Sequence, residues 1–405
     1  MVGEVDLSYG RTFSRGFPHD FFTWLRREAP VWWHEPTGHT PGGEGFWVVS
    51  RYDDVVRVFR EATTFSSELG GTQIYDGKGQ GYQLNQTDDP KHRRLRGLVN
   101  TGFTPRMIGR LEDDLRRRAR AILDAVPDGE EFDFVPAVAR ELPLQAICTV
   151  LGVPLDDRAE LGEVVDLAIG SETGAVMGTE ELRRLGTYAD GLVEEKRRHP
   201  TDDILSVIVH ARLDDGTPQL DNRELRAFFN LLFPAGSETT RSAIAGGFLA
   251  LVENPPELGR LRYDPPVMKT AVEEIVRWTS PSVYKRRTTA GPVELAGQVI
   301  DGGQKVTLWE MSANRDERAF ADPFRFDVGR TPNLHVGFGF GTHFCLGASL
   351  ARLEIRIIFE ELLDRYERFE VTGESSWTNN NRLVGLTRLP VKAFPKATVA
   401  SGHGA

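Results

Sequence analysis

A chain of 405 residues, 40% of them hydrophobic, can bury a large core, and its length admits either one lobed domain or two. Its formal net charge of −10, from 49 basic and 59 acidic residues, argues against general nucleic-acid binding. No apolar run reaches the roughly 18 residues needed to span a bilayer, the opening MVGEVDLSYGRTFSRG is too polar for a secretory signal, and two distant cysteines make no disulfide framework, so a reducing cytoplasm without membrane attachment is expected.

In chain order, apolar residues recur at helical spacing over residues 21–27, 53–60, 107–125, 138–151, 180–197, 224–252 and 267–277. Short β-rich pieces, GFWVVS at 45–50, VELAG at 293–297 and KVTLWE at 305–310, are a minority. The fold class reads as mainly α with a small β-rich portion. Without a repeat or a low-complexity block, residues 1–405 read as a single domain whose ends, 1–18 and 396–405, are expected to be flexible.

Local features stand out along the same path. Residues 91–120 carry ten Lys or Arg against three acids, either a solvated helix face or a docking surface for an acidic partner. Cys148, inside LPLQAICTVLGV, reads as a small core residue. Asp221 and Glu224 form a capping box for a long helix that contains AGSETT from Ala235 to Thr240. Pro234, just before this motif, removes a backbone donor from the Asn230 carbonyl and predicts a kink, at a typical cost of about 3 kcal/mol. Glu274 and Arg277 stand at i and i+3, a pair that occurs on many helices.

The most specific stretch is VGFGFGTHFCLGASLAR, from Val336 to Arg352. Its glycines let main chain approach a flat, bulky object, and a helical period begins after Cys345, where unpaired amides favour a thiolate. Zinc lacks further ligands nearby, and neither Cys-x-x-Cys nor a Gly-x-Gly-x-x-Gly fingerprint can be read. One thiolate suffices for an iron whose equatorial positions a porphyrin fills.

The segment FGFGTHFCLG, Phe338 to Gly347, resembles the haem-binding signature of the cytochrome P-450 monooxygenases. That resemblance implies the cytochrome P-450 fold and non-covalently held haem b, iron protoporphyrin IX, with Cys345 as proximal ligand, Phe338 beside the sulfur and Gly347 in the binding loop. It implies that His92, Arg96, Arg287 and His343 hold the propionates, with Arg286 a competing choice for Arg287. It places Ala235 and Gly236 over the iron and gives Glu238 and Thr239 proton delivery. Glu274, Arg277 and Arg330 would brace the haem loop.

The same resemblance implies oxygen insertion into a hydrophobic small molecule, with electrons from NAD(P)H through a ferredoxin reductase and a ferredoxin docked near Arg93, Arg94, Arg106 and Arg116 to Arg118. Segments 70–84, 164–177, 229–233, 282–284 and 309–311 are candidate pocket walls. FWVVSRYDDVV, FTPR and SANRDE resemble actinobacterial members that oxidise steroids, terpenoids or fatty acyl chains. Alternatives are a polyketide or peptide tailoring oxidase, a haem-thiolate sensor without turnover, and a flavin or nucleotide enzyme.

Overall fold

The 32-residue helix Asn222–Glu253 organises the fold, because it carries apolar residues on nearly every face and other helices must cover them. Asp221 accepts from the Glu224 amide and Glu224 returns the bond to the Asp221 amide, so the expected capping box is present. Helices Glu141–Leu151, Thr179–Arg198, Met268–Thr279 and Ala348–Arg365 pack around it. Residues 5–77, 79–100, 103–169 and 179–397 are described in this computed structural model.

The seven expected helices all occur, with two divided, since 138–151 spans the π-helical Val135–Ala139 and the α-helical Glu141–Leu151. The stretch 107–125 breaks into Pro105–Gly109, capped by Thr104, and Glu112–Asp124, whose first turn holds three acids that suit the helix dipole. Helices Lys91–Asn100, Arg158–Ile169, Ile204–His210 and Pro255–Tyr263 had no clear periodicity in the sequence. In Lys91–Asn100, only Leu95, Val99 and His92 are buried among charged neighbours, which weakens the apolar signal.

The β portion lies mainly at one side. Its five-stranded sheet runs Val31–His34, Phe46–Val49, Lys305–Leu308, Lys285–Thr289, Phe65–Ser66, with only the Phe46–Val49 and Lys305–Leu308 neighbours parallel. A second sheet joins Glu131–Asp133, Pro390–Pro395 and Tyr366–Val371.

One expectation is overturned at the N-terminus. Within 1–18, Leu7, Phe13 and Phe17 pack in a cluster around Trp309, and Asn381 donates to the carbonyls of Leu7 and Ser8. Three apolar side chains in a polar segment are enough to anchor it once a pocket of aromatic rings exists. Pro395 ends a strand, and the remainder of the expected flexible tail beyond residue 397 lies outside the described residues.

Candidate active site

The loop before Cys345 depends on two left-handed glycines. Gly339 and Gly341 have φ of 72° and 69°, and a Cβ on Gly341 would sit 2.9 Å from the Phe59 carbonyl. The Cys345 amide donates to the Phe338 carbonyl at 2.8 Å, closing the loop. Gly347 is the N-cap of helix Ala348–Arg365 and its amide hydrogen-bonds to the sulfur. The Phe338 ring packs against the main core with the Arg352 guanidinium 4.4 Å above it.

Cys345 is open to a water-sized contact, yet burial is the largest influence on its thiol and raises its pKa. Both hold for a group lining an interior cleft. Gly347, Lys285 and Arg96 oppose the burial effect, so the helix start alone does not ionise this thiol; a metal cation would. Cys148, by contrast, is a fully buried core thiol pushed up to about 12 by burial.

Four expected cofactor-binding groups converge near this sulfur. The rings of His92 and His343 lie 4.0 Å apart, and the Arg96 Nη2 donates to the carbonyl of Phe344 at 2.7 Å. Burial first, then Arg287, His92 and Arg96, push His343 down to about 2. His92 is buried with both ring nitrogens lacking a hydrogen-bond partner; its nearest carboxylate, Asp89, is 3.6 Å away. Arg287 is pushed down to about 10 by burial and its side chain donates only to the Arg286 carbonyl among described residues.

Strand alternation separates the two candidate arginines. Arg286 turns away to Asp76 and the Gln73 carbonyl, and Arg287 has no ion pair among the described residues. Buried donors without acceptors, beside a loop thiol, are what an iron macrocycle with two carboxylate arms would satisfy. The residues present therefore fit haem.

Helix Asn222–Glu253 passes through Pro234 without interruption, so the proline does not end it; the Asn230 side-chain oxygen is left unpartnered nearby. Ala235 is exposed and Thr239 half-buried, while Pro234, Ser237, Glu238 and Thr240 are buried, which leaves a narrow open face of small residues. Thr239 Oγ1 donates to the Ala235 carbonyl at 3.0 Å. A Cβ on Gly236 would meet the Ile147 side chain at 2.7 Å, so its smallness lets two helices approach.

Glu238 points into a charged cleft behind that face. Its Oε2 lies 2.8 Å from Arg241 Nη2, close but not aligned as a hydrogen bond. Arg241 also reaches Asp166 at 3.2 Å, and Arg140 pairs with Asp166 at 2.7 Å. Burial pushes Glu238 up to about 7, with Arg241 opposing. Arg140, Asp166 and Arg241 were missed from sequence because they come from three helical regions and match no motif.

Glu274 accepts from Arg277 Nε and Nη2, both at 2.7 Å, and from Arg330 Nε at 3.1 and 3.2 Å. Arg277 also donates to the carbonyls of Asn314 and Pro323. The charged triad fastens the segment that leads into the cysteine loop.

The basic segment is largely neutralised. Arg116 pairs with Glu112, Glu360 and Glu361, Arg117 and Arg118 with Asp114, Arg120 with Glu361, and Arg93 with Asp89. Among the described residues, the exposed Arg106 and Arg110 have no acidic partner.

The expected pocket walls divide. Ile74, Val283, Tyr284, Trp309 and Met311 fill the same cluster as Phe13 and Phe22, so Trp309 is a core ring rather than a pocket wall. Phe229 and Phe233 stack at 5.6 Å within the helical core. Residues 170–177 of the 164–177 segment lie outside the described residues. Sequence reading also passed over Lys285, Glu310 and Arg382: Lys285 Nζ donates to Glu310 Oε2 at 2.8 Å, and Arg382 stands beside this pair. No helix among the described residues is long and apolar enough to cross a membrane.

Comparison with known proteins agrees with this geometry. The family described as cytochrome P-450 matches residues 180–396. Cytochrome P-450 126 of Mycobacterium tuberculosis is 51% identical over 404 residues, covering 96% of this chain and 98% of the relative. The methyl-branched lipid omega-hydroxylase of the same species is 40% identical over 391 residues, with 91% and 90% covered. A Mycobacterium marinum cytochrome P-450 solved in complex with pseudoionone superposes with a TM-score of 0.88 at 36% identity, covering 96% of this chain and 98% of that one.

Proposed function

The chain belongs to the cytochrome P-450 family of haem monooxygenases, and on that premise we propose that it hydroxylates a hydrophobic steroid, terpenoid or lipid-like molecule in the cytoplasm, with electrons delivered by a ferredoxin. Haem b, when bound, supplies the dioxygen chemistry, and its thiolate ligand favours O–O cleavage. Cys345 would be that ligand, supported by the Gly347 amide. His92, Arg96, Arg287 and His343 would hold the propionates, which would give the unpartnered His92 nitrogens and the isolated Arg287 guanidinium their acceptors.

Thr239 would present its hydroxyl at the open face formed with Ala235, and Glu238 would hold a proton near neutral pH and exchange it through the Arg241 and Asp166 cleft. The substrate class is supported by similarity to a methyl-branched lipid hydroxylase and to a structure holding pseudoionone. Arg106 and Arg110, without acidic partners among the described residues, would receive the acidic surface of a ferredoxin.

The observation that carries the reading is the meeting beside Cys345 of a buried His92 whose ring nitrogens have no partner and a buried Arg287 that has no ion pair among the described residues. Its test is the carbon-monoxide difference spectrum of the reduced holoenzyme, followed by oxygen-dependent turnover with a surrogate ferredoxin. A long-wavelength Soret band that disappears in Cys345→Ala, and a product one oxygen heavier, are expected. A band retained in Cys345→Ala sinks the ligand assignment; a haem-loaded enzyme that forms no oxygenated product from any ligand that shifts its spectrum favours a sensor.

A further inference from the structure

The loop after residue 380 brings to the site an arginine that has no ion pair among the described residues. Asn380 accepts from the Arg382 amide at 2.9 Å, the Val283 amide donates to the Arg382 carbonyl at 2.9 Å, and Leu383 bridges to Ser282. Arg382 is thereby fixed beside Lys285, two residues before Arg287. Its side chain makes no hydrogen bond and no ion pair among the described residues, and its Nε is buried without an acceptor.

The surrounding charges do not balance. Lys285 is already committed to Ser282 Oγ at 2.9 Å and to Glu310 Oε2 at 2.8 Å. Among the described residues, the fully buried Glu310 is the carboxylate whose charge reaches Lys285, Arg287 and Arg382 together, and Asp88 acts on Arg287 as well. Burial lowers the pKa of Arg382, with Tyr284 and Glu310 opposing, and the Lys285 amine feels both Arg382 and Cys345. Arg382 is half-buried, its Nε is enclosed without an acceptor, and Glu310 is already bonded to Lys285, which leaves this guanidinium open to an anion from outside the chain. Two propionates already have His92, Arg96, Arg287 and His343 as partners, so Arg382 is surplus to them.

We propose that Arg382 anchors a carboxylate on the substrate, so that the natural substrate class is an amphiphilic carboxylic acid whose apolar body fills the pocket while Arg382 takes its anionic end. This rests on the haem monooxygenase reading and narrows its substrate. The planar fork of an arginine suits the two oxygens of a carboxylate and gives both affinity and orientation. Neutral terpenoids and sterols would leave that guanidinium unanswered and bind more weakly.

The test is spectral titration of the haem-loaded enzyme with hexadecanoic acid, cholic acid and abietic acid, each against its methyl ester. At least one acid is expected to bind about tenfold or more tightly than its ester. The preference should vanish in Arg382→Gln and survive in part in Arg382→Lys. Equal affinities for acid and ester across all three pairs would overturn the proposal, as would an acid preference undiminished in Arg382→Gln. Loss of bound haem in Arg382→Gln with the acid preference unchanged would assign the residue to a propionate instead. Absence of the carbon-monoxide band in the wild-type protein would mark failure of the underlying haem reading, whereas equal affinities for acid and ester in a sample that shows the band would overturn the carboxylate proposal alone.

Discussion

Arg241 Nη2 lies 2.8 Å from Glu238 Oε2, yet burial outweighs that charge and pushes the carboxyl from an ordinary 4.5 to about 7. The folded protein therefore keeps a proton on Glu238 that an unfolded chain releases. Its stabilising contribution is complete below about 4.5 and is lost as pH rises through about 7. Glu238→Gln should flatten the fall in thermal stability across that window and remove the limb near pH 7 from the turnover profile. Superimposable pH profiles for wild type and variant would refute this.

Thr239 spends its hydroxyl hydrogen on the Ala235 carbonyl at 3.0 Å, which holds the oxygen at the open helix face. Thr239→Ala should leave substrate binding intact while reducing the fraction of NAD(P)H converted to product by about tenfold or more, as expected for loss of a proton-delivery group. Thr239→Ser should recover much of it. The ratio of product formed to NAD(P)H consumed is the measurement.

Glu274 is fully buried and bonded to two arginines. Glu274→Ala strands both guanidinium groups and should destabilise the protein by about 3–5 kcal/mol. Denaturant melts would report the loss, and haem retention should fall with it, because the arginines also hold the carbonyls of Asn314 and Pro323.

Gly236→Ala places a methyl 2.7 Å from Ile147 Cδ1 and should cost about 1–3 kcal/mol through overpacking. Adding Ile147→Val should recover part of that loss, a non-additivity that a double-mutant cycle measures. If Gly236 instead cleared space above a cofactor, Gly236→Ala would alter ligand spectra and Ile147→Val would restore nothing.

Arg106 and Arg110 are exposed and have no acidic partner among the described residues, whereas Arg116 is bonded to three acids. Arg106→Glu with Arg110→Glu should slow reduction by an acidic ferredoxin several-fold and reduce its salt dependence. Arg117→Glu, beside Asp114, should have a smaller effect. Stopped-flow reduction at low and high salt distinguishes them.

Much of the site was legible because local chemistry signals it. The glycines around Cys345 permit main-chain angles other residues resist, and Asp221 with Glu224 caps a helix through bonds three residues apart. His92, Arg96, Arg287 and His343 came from positions within a resemblance, and the fold gathers them near one sulfur. Segments with mixed charge and few buried positions, such as Lys91–Asn100, hid their helical period.

By itself, the sequence determined the mainly helical class, the helix caps, the glycine-rich cysteine loop and the chemical identity of its lone sulfur, since each follows from residues within a few positions of one another. Only the tertiary structure decided which charges are already answered. It set the apparent excess of 91–120 against Glu360 and Glu361, turned Gly236 toward Ile147, drew Leu7 and Phe13 around Trp309, and left Arg382 without an ion pair among the described residues. Pairing and burial join residues hundreds of positions apart, and the spacing of letters along the chain carries no record of that proximity.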